Sequence, residues 1–184
     1  MASTSAWVTS SDMVMRYLLL LLSLAFPAWG ADQEAETSRF LGEVFTHAPA
    51  PEILWLTRDL QLAMRNILDH DYPAARLRFW RDGQRTAWVL EEIGKEMPIT
   101  VGIVVDNGAI ERVRVLVYRE SRGWEVKSPA FTAQFDGARL TPKQGLDRSI
   151  DGISGATLSV RALGRLARLA LLLHRHVVDE AAKP

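Results

Sequence analysis

The chain has 184 residues, with 22 basic and 22 acidic side chains, 48% hydrophobic residues and no cysteine. That length allows one domain plus a leader, and the charge balance gives no electrostatic footprint for nucleic acid or an anionic membrane surface. The missing cysteines exclude disulfides, thiolate metal sites, cysteine-ligated iron–sulfur clusters, c-type haem attachment and a lipoprotein anchor.

The N-terminus carries Arg16 and the apolar run Tyr17–Phe26, followed by Pro27-Ala28-Trp29-Gly30. About ten apolar residues are too few to cross a bilayer but suit a secretory leader with small residues before the cut. Residues 1–30 are therefore predicted to be a cleaved signal peptide, giving a mature chain that begins at Ala31 in the periplasm. The alternative is an uncleaved leader that anchors the protein to the membrane. No basic residue precedes Arg16, so Met13 or Met15 is a plausible true start. Cleavage removes Asp12 and Arg16 and leaves 21 side chains of each sign.

Residues 31–73 read as an N-terminal helical segment. Phe40, Leu41, Val44 and Phe45 have helical spacing, and Ala48-Pro49-Ala50-Pro51 ends that stretch. A second helix is predicted over about 52–68, with Leu56, Leu60, Met64 and Ile67 on one face. Asp69-His70-Asp71-Tyr72-Pro73 closes it. That cluster suggests a helix stop more than an acid–base site, because no nucleophile or second motif accompanies it.

From Arg76 the pattern becomes that of strands. Asp82-Gly83 turns residues 76–81 into 85–93, and Asp106-Asn107-Gly108 joins 101–105 to 110–118. Asn-Gly supplies the positive φ angles of a two-residue type I′ turn. Trp55, Trp80 and Trp88 read as core or core-edge residues. The fold class is α+β: an antiparallel sheet of about four strands with flanking helices. Residues 128–135 form a short helix with Pro129 in its first turn, Phe131 and Phe135 sharing a face. The irregular stretch after Asp136-Gly137 is long enough to suggest a functional loop.

The last helix, about 158–179, has Arg161, Arg165, Arg168 and Arg175 on one side and Leu163, Leu166, Ala170, Leu173 and Val177 on the other. The arginine stripe reads as a solvated face. His174 and His176 lie two apart and cannot share a metal ion, so a surface or helix-end role is expected for both, and no metal site is assigned. Residues 181–184 form a tail.

Asp151-Gly152-Ile153-Ser154-Gly155-Ala156-Thr157 is the most informative run. It is a small-residue turn feeding a long helix, whose first N–H groups are unpaired and carry partial positive charge, a geometry that suits a phosphate. Its structural alternative is a turn in which Ser154 or Thr157 simply caps the helix.

The run resembles the attachment motif of the FMN-binding domain family, and the resemblance extends from about Ile103 to Thr157. Val105-Asp106-Asn107-Gly108, Tyr118-Arg119-Glu120-Ser121-Arg122-Gly123-Trp124 and Phe131-Thr132-Ala133-Gln134-Phe135-Asp136-Gly137 precede it in the family's order and spacing. The resemblance implies that 74–180 is an FMN-binding domain, similar to the flavin-carrying subunits of Rnf-type and sodium-translocating NADH:quinone reductase complexes. It implies covalent FMN on Thr157 through a phosphoester, made from FAD by a flavin transferase, with Asp151, Ser154, Gly155 and Ala156 as the recognition loop. It points to Glu120, Gly123 and Trp124 as ring contacts, although Glu-Ser-Arg-Gly-Trp stands where better-known members carry a Thr-Pro-Gly-Leu-Gly type loop. Trp124 either stacks on the flavin or covers the core, and Gln134 either reaches the ring or caps the short helix. The implied function is electron transfer with a membrane redox protein or complex, and no residue is assigned a catalytic role. The alternatives are a flavin-dependent reductase of a small acceptor and a module that holds FMN noncovalently.

Overall fold

The structure is a computed structural model that describes residues 28–182, with side chains from residue 30. The expected leader therefore lies, up to residue 27, outside the described residues. The chain divides into two units at the Ala35–Glu36 boundary. Helix α1 (Ala28–Val44) spans the boundary, and of the first unit only its residues 28–35 are described. The second unit contains everything that follows.

Its centre is one antiparallel sheet of five strands in chain order: β1 (Glu52–Trp55), β2 (Arg76–Asp82), β3 (Arg85–Ile93), β4 (Pro98–Asp106) and β5 (Ala109–Tyr118). Both predicted hairpins form. Asn107 and Gly108 alone connect β4 to β5, with φ of 48° and 73°, as a type I′ turn requires. Alternation along the strands gives two apolar faces. Leu77 and Phe79 on β2, Trp88 and Leu90 on β3, and Ile99, Val101 and Ile103 on β4 point to one side. Trp80, Ala87, Val104 and Leu116 point to the other.

Two helices cover the first face: α2 (Arg58–Leu68), through Leu60, Met64, Ile67 and Leu68, and α4 (Thr157–Ala181), through Leu163, Leu166, Ala170, Leu173 and Val177. The second face receives Phe40, Leu41 and Val44 of α1 and Phe45 just after it. Phe40 lies directly over β4 at Gly102, where a Cβ would come within 2.7 Å of its ring. The glycine is what lets helix and sheet approach so closely.

Three expectations need correction. Residues 52–55 are the edge strand β1, not the start of a helix; Ile53 and Trp55 are good strand formers, and Thr57 fixes the helix start by accepting Leu60 N–H on Oγ1 at 3.3 Å. The sheet thus gains a fifth strand. Trp80 and Trp88 are buried as expected, but Trp55 is 62% exposed on that edge, beneath the Arg76 guanidinium. His174 is buried rather than superficial: Nδ1 lies 2.8 Å from Thr86 Oγ1, and Nε2 accepts Gly108 N–H at 3.1 Å. His176 does sit near the surface, 3.5 Å from Glu180.

The helix-stop reading of Asp69 holds: it takes the left-handed conformation at φ 67° and closes α2 by donating its N–H to Arg65 C=O. The arginine stripe is only partly solvated. Arg165 donates to Asp69 at 2.6 Å and Arg168 to the Ile67 carbonyl at 3.2 Å, so these two tie α4 to the end of α2.

Candidate functional site

The segment between β5 and α4 assembles the site. After β5, Gly123 takes φ 82° and leads into a 3-10 turn (Trp124–Lys127). The short helix α3 (Pro129–Thr132) and a second 3-10 turn (Ala133–Phe135) follow, dividing the single helix expected over 128–135. Phe131 and Phe135 still share a buried face, edge to face at 6.0 Å. Gln134 then reaches forward, its Oε1 accepting Asp151 N–H at 2.7 Å. Gln134 thereby holds the start of the small-residue loop and does not cap its own helix.

The loop returns over 137–156. Arg148 donates to the Asp136 carbonyl at 2.7 Å, Asp147 accepts Arg139 N–H at 3.1 Å, and Leu140 bridges to Leu146. Gly155 has φ 80° with open space where a Cβ would stand, and Ala156 is packed inward. Helix α4 starts at Thr157, and no side chain caps it. The first in-register bond runs from Val160 N–H to Ala156 C=O. The N–H groups of Thr157, Leu158 and Ser159 therefore have no intrahelical acceptor, and the helix dipole adds to their partial charge. The capping alternative for Ser154 and Thr157 is not realised.

These groups open onto a cleft of about 580 Å³, within the usual range for small-molecule sites. The helix side supplies Gly155, Ala156, Thr157, Leu158 and Ser159; the opposite wall is Glu120, Ser121 and Arg122 after β5, with Lys95 and Glu96 from the β3–β4 turn. Glu120 organises that turn. Its Oε1 accepts N–H from Lys95, Glu96 and Met97 at 2.5, 2.8 and 3.0 Å. Burial opposes the charged form, but the three amides outweigh it and hold the carboxyl below its ordinary range. Its oxygen also lies where a Cβ on Gly94 would stand, 2.8 Å away.

Behind the cleft, Gly123 is wedged against Ala156. A Cβ on it would stand 2.9 Å from the Ala156 Cβ and 2.8 Å from Tyr118 Oη. Tyr118 Oη donates to Arg122 C=O at 2.5 Å and lies 3.0 Å from Ser159 Oγ on the helix.

Of the residues singled out in the sequence, Thr157, Gly155, Ala156 and Glu120 line the cleft and Gly123 backs it. Ser154 is exposed in the turn, and Asp151 is engaged with Gln134 outside the lining. Trp124 is 66% exposed, so it does not cover the core, and it is not part of the cleft wall. Sequence reasoning missed Lys95, Arg122, Tyr118 and Ser159. Lys95 is brought by strand pairing from outside the motif region, and Tyr118 and Ser159 matter through a contact no spacing reveals.

This antiparallel α+β domain opens an uncapped helix start onto a cleft lined by Lys95 and Arg122 beside Glu96 and Glu120, an arrangement that suits a phosphorylated ligand. Residues 94–172 match the family described as the FMN-binding domain, a stretch that contains every residue lining the cleft. The fold is that of the crystal structure of Shewanella oneidensis NqrC, with a TM-score of 0.53 at 15% identity over 71% of this chain and 81% of that one. No curated protein matches the sequence.

Proposed function

We propose that the protein is an exported flavoprotein that carries FMN covalently through a phosphoester on Thr157 and passes electrons between redox partners. One observation carries this reading: Thr157 is the exposed first residue of an uncapped helix and stands in the wall of the cleft. Its hydroxyl is free of any capping role, and the neighbouring N–H groups fit the single negative charge of a phosphodiester.

The residues present suit the group. Gly155 leaves the loop open beside the helix start, and the opposite wall carries Arg122 and Lys95, the latter paired with Glu96 at 3.2 Å. In attachment, Thr157 Oγ1 bonds to the flavin-side phosphorus of FAD, the pyrophosphate bond breaks, AMP leaves and the hydroxyl proton is released. A flavin transferase is the partner for that step. Bound FMN supplies a reversible acceptor of one or two electrons. The chain's own part is to tether the phosphate at α4, to hold the ring's surroundings through the walls ordered by Glu120 and Gly123, and to prevent cofactor loss outside the cytoplasm.

Export rests on the leader over residues 1–30, which places the mature chain in the periplasm beside a membrane redox protein or complex. The test is intact-protein mass spectrometry of denatured protein co-expressed with a flavin transferase, with peptide mapping. An FMN-sized addition on the peptide containing Thr157, lost in Thr157→Val, is expected. An unmodified protein beside a modified control substrate overturns the covalent reading.

A further inference from the structure

We propose that Tyr118 is a positioning residue for flavin attachment, acting through Ser159 to hold the start of α4 against the opposite wall of the cleft. The proposal rests on the reading of this cleft as the flavin site.

Hydrogen-bond directions fix the arrangement. A carbonyl can only accept, so the single Tyr118 hydroxyl proton is committed to Arg122 C=O at 2.5 Å. The 3.0 Å contact with Ser159 must then use the serine proton, with Ser159 Oγ donating to Tyr118 Oη. One phenol thus joins the loop after β5 to the third residue of α4, two positions from the attachment hydroxyl. Ser159 is only 4% exposed, so its proton has little access to water as a substitute acceptor.

The contact continues into the rest of the cleft. Gly123, at φ 82°, lets the loop close on Ala156 with no room for a side chain, and Tyr118 Oη occupies the other side of the same gap. Two residues beyond Tyr118, Glu120 gathers the Lys95, Glu96 and Met97 amides. The β3–β4 turn, the loop after β5 and the helix start are therefore linked in series, and Tyr118–Ser159 is a side-chain hydrogen bond across the last junction. Loss of that bond lets the wall and the helix separate while leaving the sheet intact. Transfer to Thr157 is sensitive to such a change because it needs phosphorus and hydroxyl oxygen in near-attack geometry.

The experiment compares wild type, Tyr118→Phe, Ser159→Ala and the double variant as full chains, with FAD and a flavin transferase, following the FMN mass addition with time. Each single substitution is expected to lower kcat/KM for attachment about tenfold, and the double variant no further than Tyr118→Phe alone, because that change already removes the Ser159 contact together with the bond to Arg122. Amide hydrogen exchange on the unloaded proteins gives an independent reading. Residues 119–123 and 157–160 should exchange faster in Tyr118→Phe, with β3 and β4 unchanged. Tyr118→Phe modified at the wild-type rate, losses that add in the double variant, or faster exchange spread through the sheet would each overturn the positioning role. Wild-type protein that takes no FMN overturns the flavin reading itself, and the attachment role with it.

Discussion

Replacing His174 with leucine tests the buried polar lock between α4 and the β4–β5 turn. Nε2 accepts Gly108 N–H, so the ring proton sits on Nδ1 and is donated to Thr86 Oγ1, which also accepts Trp88 Nε1–H at 2.9 Å. The imidazole must therefore be neutral: a second proton would point an N–H at an N–H. Burial lowers the pKa from 6.5, and the carboxylates of Asp106 and Asp179 offset this only in part. The sign follows from proton uptake. Below pH 6.5 the unfolded chain binds a proton that the folded chain refuses, so stability falls as pH drops through 6.5 toward the folded value, at up to about 1.4 kcal/mol per pH unit. Leucine leaves the Gly108 N–H without its acceptor and Thr86 without one partner, for a loss of about 2–3 kcal/mol at pH 7.5. Urea denaturation of both proteins at pH 7.5, 6.5 and 5.5 measures each effect. The gap between wild type and variant should narrow between pH 6.5 and 5.5, by at most about 1 kcal/mol. His70 acts in the opposite sense. Its pKa is raised by its bond to the Asp71 carbonyl and by Glu92, so its contribution is lost as pH rises through the folded value, but it is common to both proteins and cancels in the difference. Parallel pH profiles would refute the neutral-lock argument.

Two further outcomes follow from close packing around the sheet and cleft. Gly102→Ala forces a Cβ to within 2.7–2.9 Å of three Phe40 ring carbons and should cost about 1–3 kcal/mol in urea denaturation, with much of the loss recovered when Phe40→Leu is added; unchanged stability would show that α1 does not rest on the sheet there. Glu120→Gln keeps an acceptor for the β3–β4 turn but removes its charge, so amide exchange at residues 95–97 should accelerate by several-fold at pH 7. In wild type the same loss of protection, measured relative to the intrinsic exchange rate at each pH, should appear as pH falls through the depressed pKa of Glu120, and its absence would separate the carboxylate from the order of the turn.

The hairpins and the final helix were legible because their signals are local. Asn107-Gly108 permits few turns, and the apolar side of 157–181 repeats with a helical period. Strand β1 was misread because Leu56, Leu60, Met64 and Ile67 continue a helical pattern past the place where Thr57 actually starts the helix, and four residues are too few to show alternation. In the site, the small-residue loop before α4 was readable as glycine and hydroxyl chemistry at a helix start. Its supports were not. Gln134 to Asp151, Tyr118 to Ser159 and Glu120 to the 95–97 amides join residues 17 to 41 positions apart, and such pairings exist only once the sheet has folded. His174 was misplaced because a lone histidine on a helix gives no sign of the turn that will pack onto it.

The pairing of β3 with β4 bears on where the smallest independently stable piece of this chain begins. The stretch with family resemblance starts at residue 94, yet β4 is matched along its whole length, from Pro98 to Asp106, by residues of β3 that lie before it. A fragment cut at residue 94 would present Ile99, Val101, Ile103 and Val105 on a bare strand edge, an invitation to self-association. It would also strip α4 of Trp88 and Leu90 and deprive His174 of Thr86. The stretch that matches the family is thus smaller than the folded unit around it, and a workable truncation has to retain the strands before residue 94 and the segment Glu36–Phe45 that closes the other face.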